Sequence, residues 1–144
     1  RSSAASDVYK RQAEYDYYTT TKGILEKVKT HAGDVDFEVQ PELLSLFSNR
    51  DFGRYVGEKG EMNVCFISNN DITGGNSGSA MFNARGELLG LAFDGNWEAM
   101  SSDILYEPKM QRCIGVDVRY ILFMIEKYGK AGDLIRELKI VSGK

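Results

Sequence analysis

A β-rich body closed by a C-terminal helix is the fold class that these 144 residues predict, and three local patterns carry the prediction. The first is a hairpin: residues 80–82 and 87–93 flank Asn83, Ala84, Arg85 and Gly86, four turn-forming residues between two apolar runs. The second is a pair of short apolar runs of strand length, 62–67 and 113–116. The third is Val118, Ile121, Leu122 and Ile125, spaced i, i+3, i+4 and i+7, which is the stripe of an amphipathic helix with Gly129 as its stop. Glycine is frequent, at 15, and proline occurs only 2 times, which suits tight turns between strands more than linkers.

Taken in order, the first dozen residues, RSSAASDVYKRQ, show neither alternation nor a helical stripe. Residues 1–12 are expected to be a non-native leader, resembling a translated sequencing scar, and the length makes one domain the default. Val35, Phe37 and Val39 alternate and predict a short strand, after which Pro41 opens a helix carrying Leu43, Leu44 and Phe47. On the second hairpin strand Leu89, Leu91 and Phe93 are expected on one face. Leu88, Gly90 and Ala92 are expected on the other, where small residues admit close approach of a backbone or a ligand. Leu134, Ile135 and Leu138 predict a last short helix.

Composition narrows the function. Apolar residues make up 42% and charged residues 27%, a globular balance. The net charge of −3 comes without a basic block, which argues against nucleic acid as a partner. The longest apolar run, Tyr120 to Ile125, is far short of the ~20 residues of a membrane span. Cys65 and Cys113 lack metal-ligand spacing to each other or to His31, so no metal is expected. They read as two buried small residues, with a disulfide between them left open.

The stretch TGGNSGSA, Thr73 to Ala80, carries the functional signal. It lacks the lysine of a phosphate-binding P-loop, the spacing of a dinucleotide fingerprint and the last glycine of a hydrolase nucleophile elbow. No nucleotide or other cofactor is therefore expected. A Gly-Asn-Ser-Gly-Ser turn between strands instead fits the serine turn of chymotrypsin-like peptidases. That chemistry needs a sharp turn lifting Ser77 clear of the sheet, with backbone N–H groups aimed at the oxygen of a tetrahedral intermediate. By that geometry Gly75 and Ser77 would be the oxyanion donors. As local sequence alone, such a turn is more often simply a turn.

Together, NNDITGGNSGS, NARGELLGLAFDGNWEAMSSDI and QRCIGVDVRYILFMIEKY closely resemble the bacterial dipeptidyl-peptidase 7 and 11 family, serine-peptidase family forty-six. The resemblance covers nearly everything after the leader and is densest from Asn69 to Tyr128. It implies that residues 13–144 are the C-terminal portion of a chymotrypsin-like double β-barrel peptidase domain, the part of the second barrel that carries the nucleophile, from a periplasmic or cell-surface enzyme of a Gram-negative bacterium. It also implies a homodimer that releases dipeptides from the free N-termini of peptides. Ser77 matches the nucleophile. Asp94 matches a carboxylate that holds the substrate's terminal ammonium, and Gly95 the position that decides the side-chain pocket. Acid-preferring members carry Arg there, so glycine implies an apolar or broad preference at the substrate's second residue. Ala80 stands where the family usually has Pro, and Asn76 where chymotrypsin has Asp.

A serine hydroxyl needs a base. His31, in KTHAGD, reads as an ordinary turn histidine, and the resemblance places the catalytic histidine and aspartate upstream of this chain. The chain alone is expected to be inactive. From a different class, the alternative is a non-catalytic β-barrel module whose glycine-rich turn shapes a peptide-binding groove.

Overall fold

The computed structural model describes residues 17–57, 59–101 and 104–141; the leader assigned to 1–12 lies outside them. Five strands, β1 (Tyr18–Thr20), β2 (Asn63–Ser68), β3 (Ala80–Phe82), β4 (Leu88–Gly95) and β5 (Cys113–Asp117), form one sheet in the order β1-β2-β5-β4-β3. Every pairing is antiparallel. The sheet is open, with β1 and β3 as its edges, not closed into a barrel. Among the described residues four α-helices accompany it: α1 (Thr21–Thr30), α2 (Pro41–Ser48), α3 (Val118–Phe123) and α4 (Gly132–Glu137).

Neither β1 nor α1 is among the elements that the sequence predicts. Helix α1 carries only Ile24, Leu25 and Val28 as its stripe and has Gly23 inside, a weak periodic signal. It holds because Ile24 and Leu25 pack on a cluster that the rest of the chain supplies: Phe47, Phe52, Tyr55, Met62 and Phe123. Pro41 stands at the start of α2, as expected, with Glu42 in the first turn where a negative charge meets the helix N-terminus favourably. Asp117 ends β5 and begins α3: its carboxylate accepts the Arg119 N–H at 2.9 Å and the Arg119 guanidinium at 2.9 and 2.6 Å. The helix expected through Ile125 changes character after Phe123 and continues as a π turn, Met124–Tyr128, before Gly129 caps it.

One predicted strand is absent. Residues 35–37 form a 3₁₀ turn, Val35–Phe37, because the Asp34 carboxylate accepts the Asp36 N–H at 3.1 Å and fixes a local turn. Val35 is exposed, while Phe37 stacks on His31 with ring centroids 4.1 Å apart. Alternation over three apolar residues did not reflect a shared face.

The second cluster lies on one face of the sheet: Met81, Ala92 and Cys113, with Phe66 and Ile72 packed against them. Here the small-residue face of β4 acquires its reason. A Cβ at Gly90 would stand 2.1 Å from the Val116 carbonyl oxygen and 2.8 Å from the Phe66 ring, and one at Gly115 would stand 2.9 Å from that ring. Two glycines on neighbouring strands thus make the slot in which Phe66 lies.

The register also answers the cysteine question. Cys65 pairs with Val116 and Cys113 with Ser68. Cross-strand partners share a face and neighbours along a strand alternate, so the two thiols lie on opposite faces of the sheet. Both are free, and burial pushes both thiol pKa values up.

Candidate active site

The turn between β2 and β3 is built by its own backbone. Asn76 N–H donates to the Thr73 carbonyl at 3.1 Å, Ser79 N–H to the Asn76 carbonyl at 2.9 Å, and the Asn76 side-chain oxygen accepts the Thr73 N–H at 3.0 Å. Gly75 and Gly78 sit at φ of 95° and 88°, the left-handed region that side chains with a Cβ rarely enter, and they bracket the serine. The far end is sewn to β4: Gly78 N–H donates to the Ala92 carbonyl at 2.7 Å, and Ala92 N–H to the Ser79 carbonyl at 2.9 Å. Among the described residues, none accepts the N–H of Gly75 or Ser77. Those are the two groups that the sequence reading named as oxyanion donors.

Ser77 stands exposed at the tip, and its hydroxyl donates to the Phe93 carbonyl at 3.2 Å. That carbonyl is available for a structural reason. Ala92 pairs with Gly115 and Asp94 with Ile114, so Phe93 is the extra residue of a β-bulge and lacks a ladder partner. The bulge also decides where Asp94 points. Asp94 shares the face of Ile114, while Gly95, opposite Cys113, returns to the face of the Met81 cluster.

Ser77, Asp94 and Gly95 line one cleft of about 230 Å³, together with Ile72, Thr73 and Ala99. Asp94 is exposed there and accepts the N–H of Gly95 at 2.8 Å. Sequence reasoning missed Ile72 and Ala99. Both sit within five residues of a residue it had chosen, and only the fold shows that they face the same space.

Beyond Gly95 the chain turns through a 3₁₀ segment, Trp97–Ser101, held by Asn96. Asn96 N–H donates to the Arg112 carbonyl at 2.9 Å, its amide nitrogen to the Met110 carbonyl at 2.9 Å, and its side-chain oxygen accepts the Arg112 N–H at 2.8 Å.

A larger cleft, about 400 Å³, opens between α1 and α2 and is lined by Val28, His31, Phe37 and Pro41 among others. It shares no residue with the serine cleft, so His31 belongs to a different part of the molecule. Size does not make it the site. No serine, threonine or cysteine lines it, whereas the smaller cleft holds Ser77 beside a turn whose Gly75 and Ser77 N–H groups have no acceptor among the described residues. Among the described residues there is no group of three or more His, Cys, Asp or Glu side chains placed to hold a metal.

Comparison with known proteins assigns the family. The family model described as Peptidase S46 matches residues 5–140. The chain belongs to the peptidase S46 family. It is 58% identical over 132 residues to dipeptidyl-peptidase 7 of Porphyromonas endodontalis, an alignment covering 91% of this chain and 16% of that protein. It is 47% identical over 127 residues to an Asp/Glu-specific dipeptidyl-peptidase of Capnocytophaga gingivalis, covering 88% of this chain and 18% of that protein. Among solved structures, Porphyromonas endodontalis DPP11 in complex with the dipeptide Arg-Asp superposes with a TM-score of 0.82 at 42% identity, over 87% of this chain and 18% of that one. The chain therefore spans under a fifth of the length of these relatives, and its open sheet matches a part of a larger structure. A peptidase lineage is established, and both kinds of dipeptidyl-peptidase stand among the relatives of this segment.

Proposed function

We propose that this S46 segment supplies the nucleophile, the oxyanion donors and part of the substrate pocket of a serine-type dipeptidyl-peptidase with a chymotrypsin-like body. The carrying observation is the shared cleft: Ser77, Asp94 and Gly95 line it together, beside a turn whose Gly75 and Ser77 N–H groups have no acceptor among the described residues. The names of the relatives supply the reaction class.

In this reading Ser77 Oγ attacks the carbonyl carbon of the substrate's second residue while a base takes the hydroxyl proton. The carbonyl oxygen, now an oxyanion, is met by the Gly75 and Ser77 N–H groups. The intermediate collapses by breaking the C–N bond, the departing amine takes the proton back from the base, and the dipeptide remains as an ester on Ser77. Water, deprotonated by the same base, attacks that ester and releases the dipeptide. The Asp94 carboxylate pairs with the substrate's α-ammonium, which is mostly charged near pH 7, and so measures two residues from the N-terminus. Gly95 leaves the side-chain pocket uncharged, favouring an apolar or broad preference at the second residue.

The base and the carboxylate that orients it come from another part of a longer polypeptide, since His31, the one histidine, lines the other cleft. That polypeptide acts as a homodimer at the periplasm or cell surface of a Gram-negative bacterium. The test is acylation by a fluorophosphonate. The 144-residue chain should remain unlabelled, the full-length protein should label, and Ser77→Ala should abolish the labelling. Labelling of full-length protein that survives Ser77→Ala would refute the assignment of the nucleophile, and labelling of the short chain at Ser77 would reveal a base within it.

A further inference from the structure

The position in front of the Gly95 Cα is already taken. A Cβ built on Gly95 would stand 2.8 Å from the Ala99 Cβ, 3.5 Å from Ile72 Cγ2 and 3.8 Å from the Arg112 carbonyl oxygen. Carbon atoms in good contact lie about 3.5–4.0 Å apart, so Ile72 and Arg112 would accept the new atom and Ala99 would not. Gly95, Ile72 and Ala99 all line the cleft that holds Ser77.

Ala99 cannot yield by itself. A methyl group has no rotamer to change, so any retreat must carry the backbone of the Trp97–Ser101 turn with it. That turn is tied back through the 2.9 Å bond from Ala99 N–H to the Asn96 carbonyl. Asn96 in turn makes three bonds to the Met110 and Arg112 backbone. Arg112 is fixed in its own loop, its guanidinium donating to the carbonyls of Pro108 at 2.8 Å and Lys109 at 3.0 Å.

We propose that Ala99 is a specificity-determining residue of this pocket and acts with Gly95 as one steric unit: the methyl of residue 99 fills the place that a side chain at 95 would occupy. The inference rests on the reading that this cleft receives the side chain of the substrate's second residue. Two consequences follow. The size of residue 99 limits how bulky an apolar side chain the pocket admits. A charged side chain at 95 enters the pocket in good order only when residue 99 is reduced to glycine.

The experiment uses the full-length protein and dipeptidyl substrates differing only at the second residue, Ala, Leu, Phe or Asp, with kcat/KM measured for each and Tm for each variant. One methylene of misfit in an apolar pocket is worth roughly 10–200-fold in discrimination. Ala99→Val should therefore lower the Leu:Ala ratio by about tenfold and Phe further, while Ala99→Gly should raise Phe relative to Leu. Gly95→Arg alone should lower Tm and lose Leu turnover with little gain on Asp. Gly95→Arg with Ala99→Gly should recover Tm and raise the Asp:Leu ratio by at least about tenfold over the single variant.

Should Ala99→Val fold poorly, Ala99→Gly and the Gly95 pair still decide the matter, because neither places new atoms at residue 99. Unchanged substrate ratios in the Ala99 variants would overturn the proposal, as would a Gly95→Arg enzyme that equals the double variant in Tm and acid preference. Ser77→Ala separates the two failures. If it abolishes turnover while the ratios stay fixed, the steric pair alone is wrong; if it leaves turnover intact, the reading of the cleft falls and takes this proposal with it.

Discussion

Glycine to alanine at positions 90 and 115 is a perturbation for which local propensity and packing predict opposite signs. Inside a strand, glycine is destabilising relative to alanine by roughly 0.5–1 kcal/mol, so propensity alone predicts that both Gly90→Ala and Gly115→Ala stabilise the protein. The sheet predicts the reverse. At Gly90 the new methyl would lie 2.1 Å from the Val116 carbonyl oxygen, a rigid backbone atom of the neighbouring strand, so β4 and β5 must separate. Overpacking typically costs about 1–3 kcal/mol, and a backbone collision belongs at or above the top of that range. At Gly115 the colliding atoms are Met81 Sδ at 2.6 Å and Phe66 Cζ at 2.9 Å, both on side chains, so the cost should be about 1–2 kcal/mol. At this chain length one kcal/mol moves Tm by about 3–5 °C. Thermal unfolding followed by circular dichroism should show Gly90→Ala lowering Tm by about 10 °C or more, and Gly115→Ala by about half as much. Shortening the ring distinguishes the two further: in a Phe66→Leu background the cost of Gly115→Ala should shrink by the larger fraction, because the Gly90→Ala methyl still meets the Val116 carbonyl oxygen at 2.1 Å. A rise in Tm for both single variants would refute the slot and the close pairing on which it depends.

Other measurements reach different parts of the molecule. On the proposed role of Asp94, Asp94→Asn in the full-length protein should lower kcat/KM by about tenfold or more for every substrate with a free amino terminus, whatever its second residue, since the contact with the α-ammonium would change from charge-assisted to neutral. Mild oxidation should leave the electrophoretic mobility of the unreduced chain unchanged, because Cys65 and Cys113 lie on opposite faces of the sheet, and both thiols should alkylate slowly at neutral pH. Glu126 accepts the Tyr55 hydroxyl and the Arg54 guanidinium, and the bond from Tyr55, ahead of that from Arg54, holds its pKa below the usual carboxylate range. A depressed folded-state pKa contributes stability that is complete above the unfolded value, about 4.3, and is lost as pH falls through the lower folded one. Tm measured below pH 5 should therefore fall less steeply with acid in Glu126→Gln than in the parent.

Much of the fold was legible because its signals are local and agree with one another. The hairpin around Asn83, the start of α2 at Pro41 and the stripe from Val118 each combine periodicity with a turn or cap residue that has its own physical reason. What was not legible depends on tertiary partners. Helix α1 is weakly periodic and is stabilised by Phe47, Phe52 and their neighbours, none of which a window on α1 contains. At 35–37 a single side-chain bond from Asp34 overrides an alternation that looks strand-like. The serine turn was readable from its glycines, and its family from the surrounding motifs. Ala99 was hidden, because nothing in a sequence shows that two Cβ positions four residues apart point at each other.

The bulge at Phe93 is the feature on which the site most depends, and it has no sequence signature. In a regular strand Gly90, Ala92 and Asp94 would share a face, and Asp94 would be driven among Met81, Cys113 and Ile72, where an unpaired carboxylate carries a heavy desolvation cost. One extra residue removes that conflict. It moves Asp94 into register with Ile114, on the other face, and brings Gly95 opposite Cys113 beside Ile72. It also takes Phe93 out of the ladder, so that its carbonyl receives the Ser77 hydroxyl at 3.2 Å. The small residues on either side serve the same end: Ala92 accepts the bond from Gly78 that anchors the serine turn, and Gly95 leaves room for Ala99. The spacing between the serine turn, the acidic residue and the pocket glycine is thus set by strand register, and a substitution or deletion that straightened β4 would dismantle all of them at once.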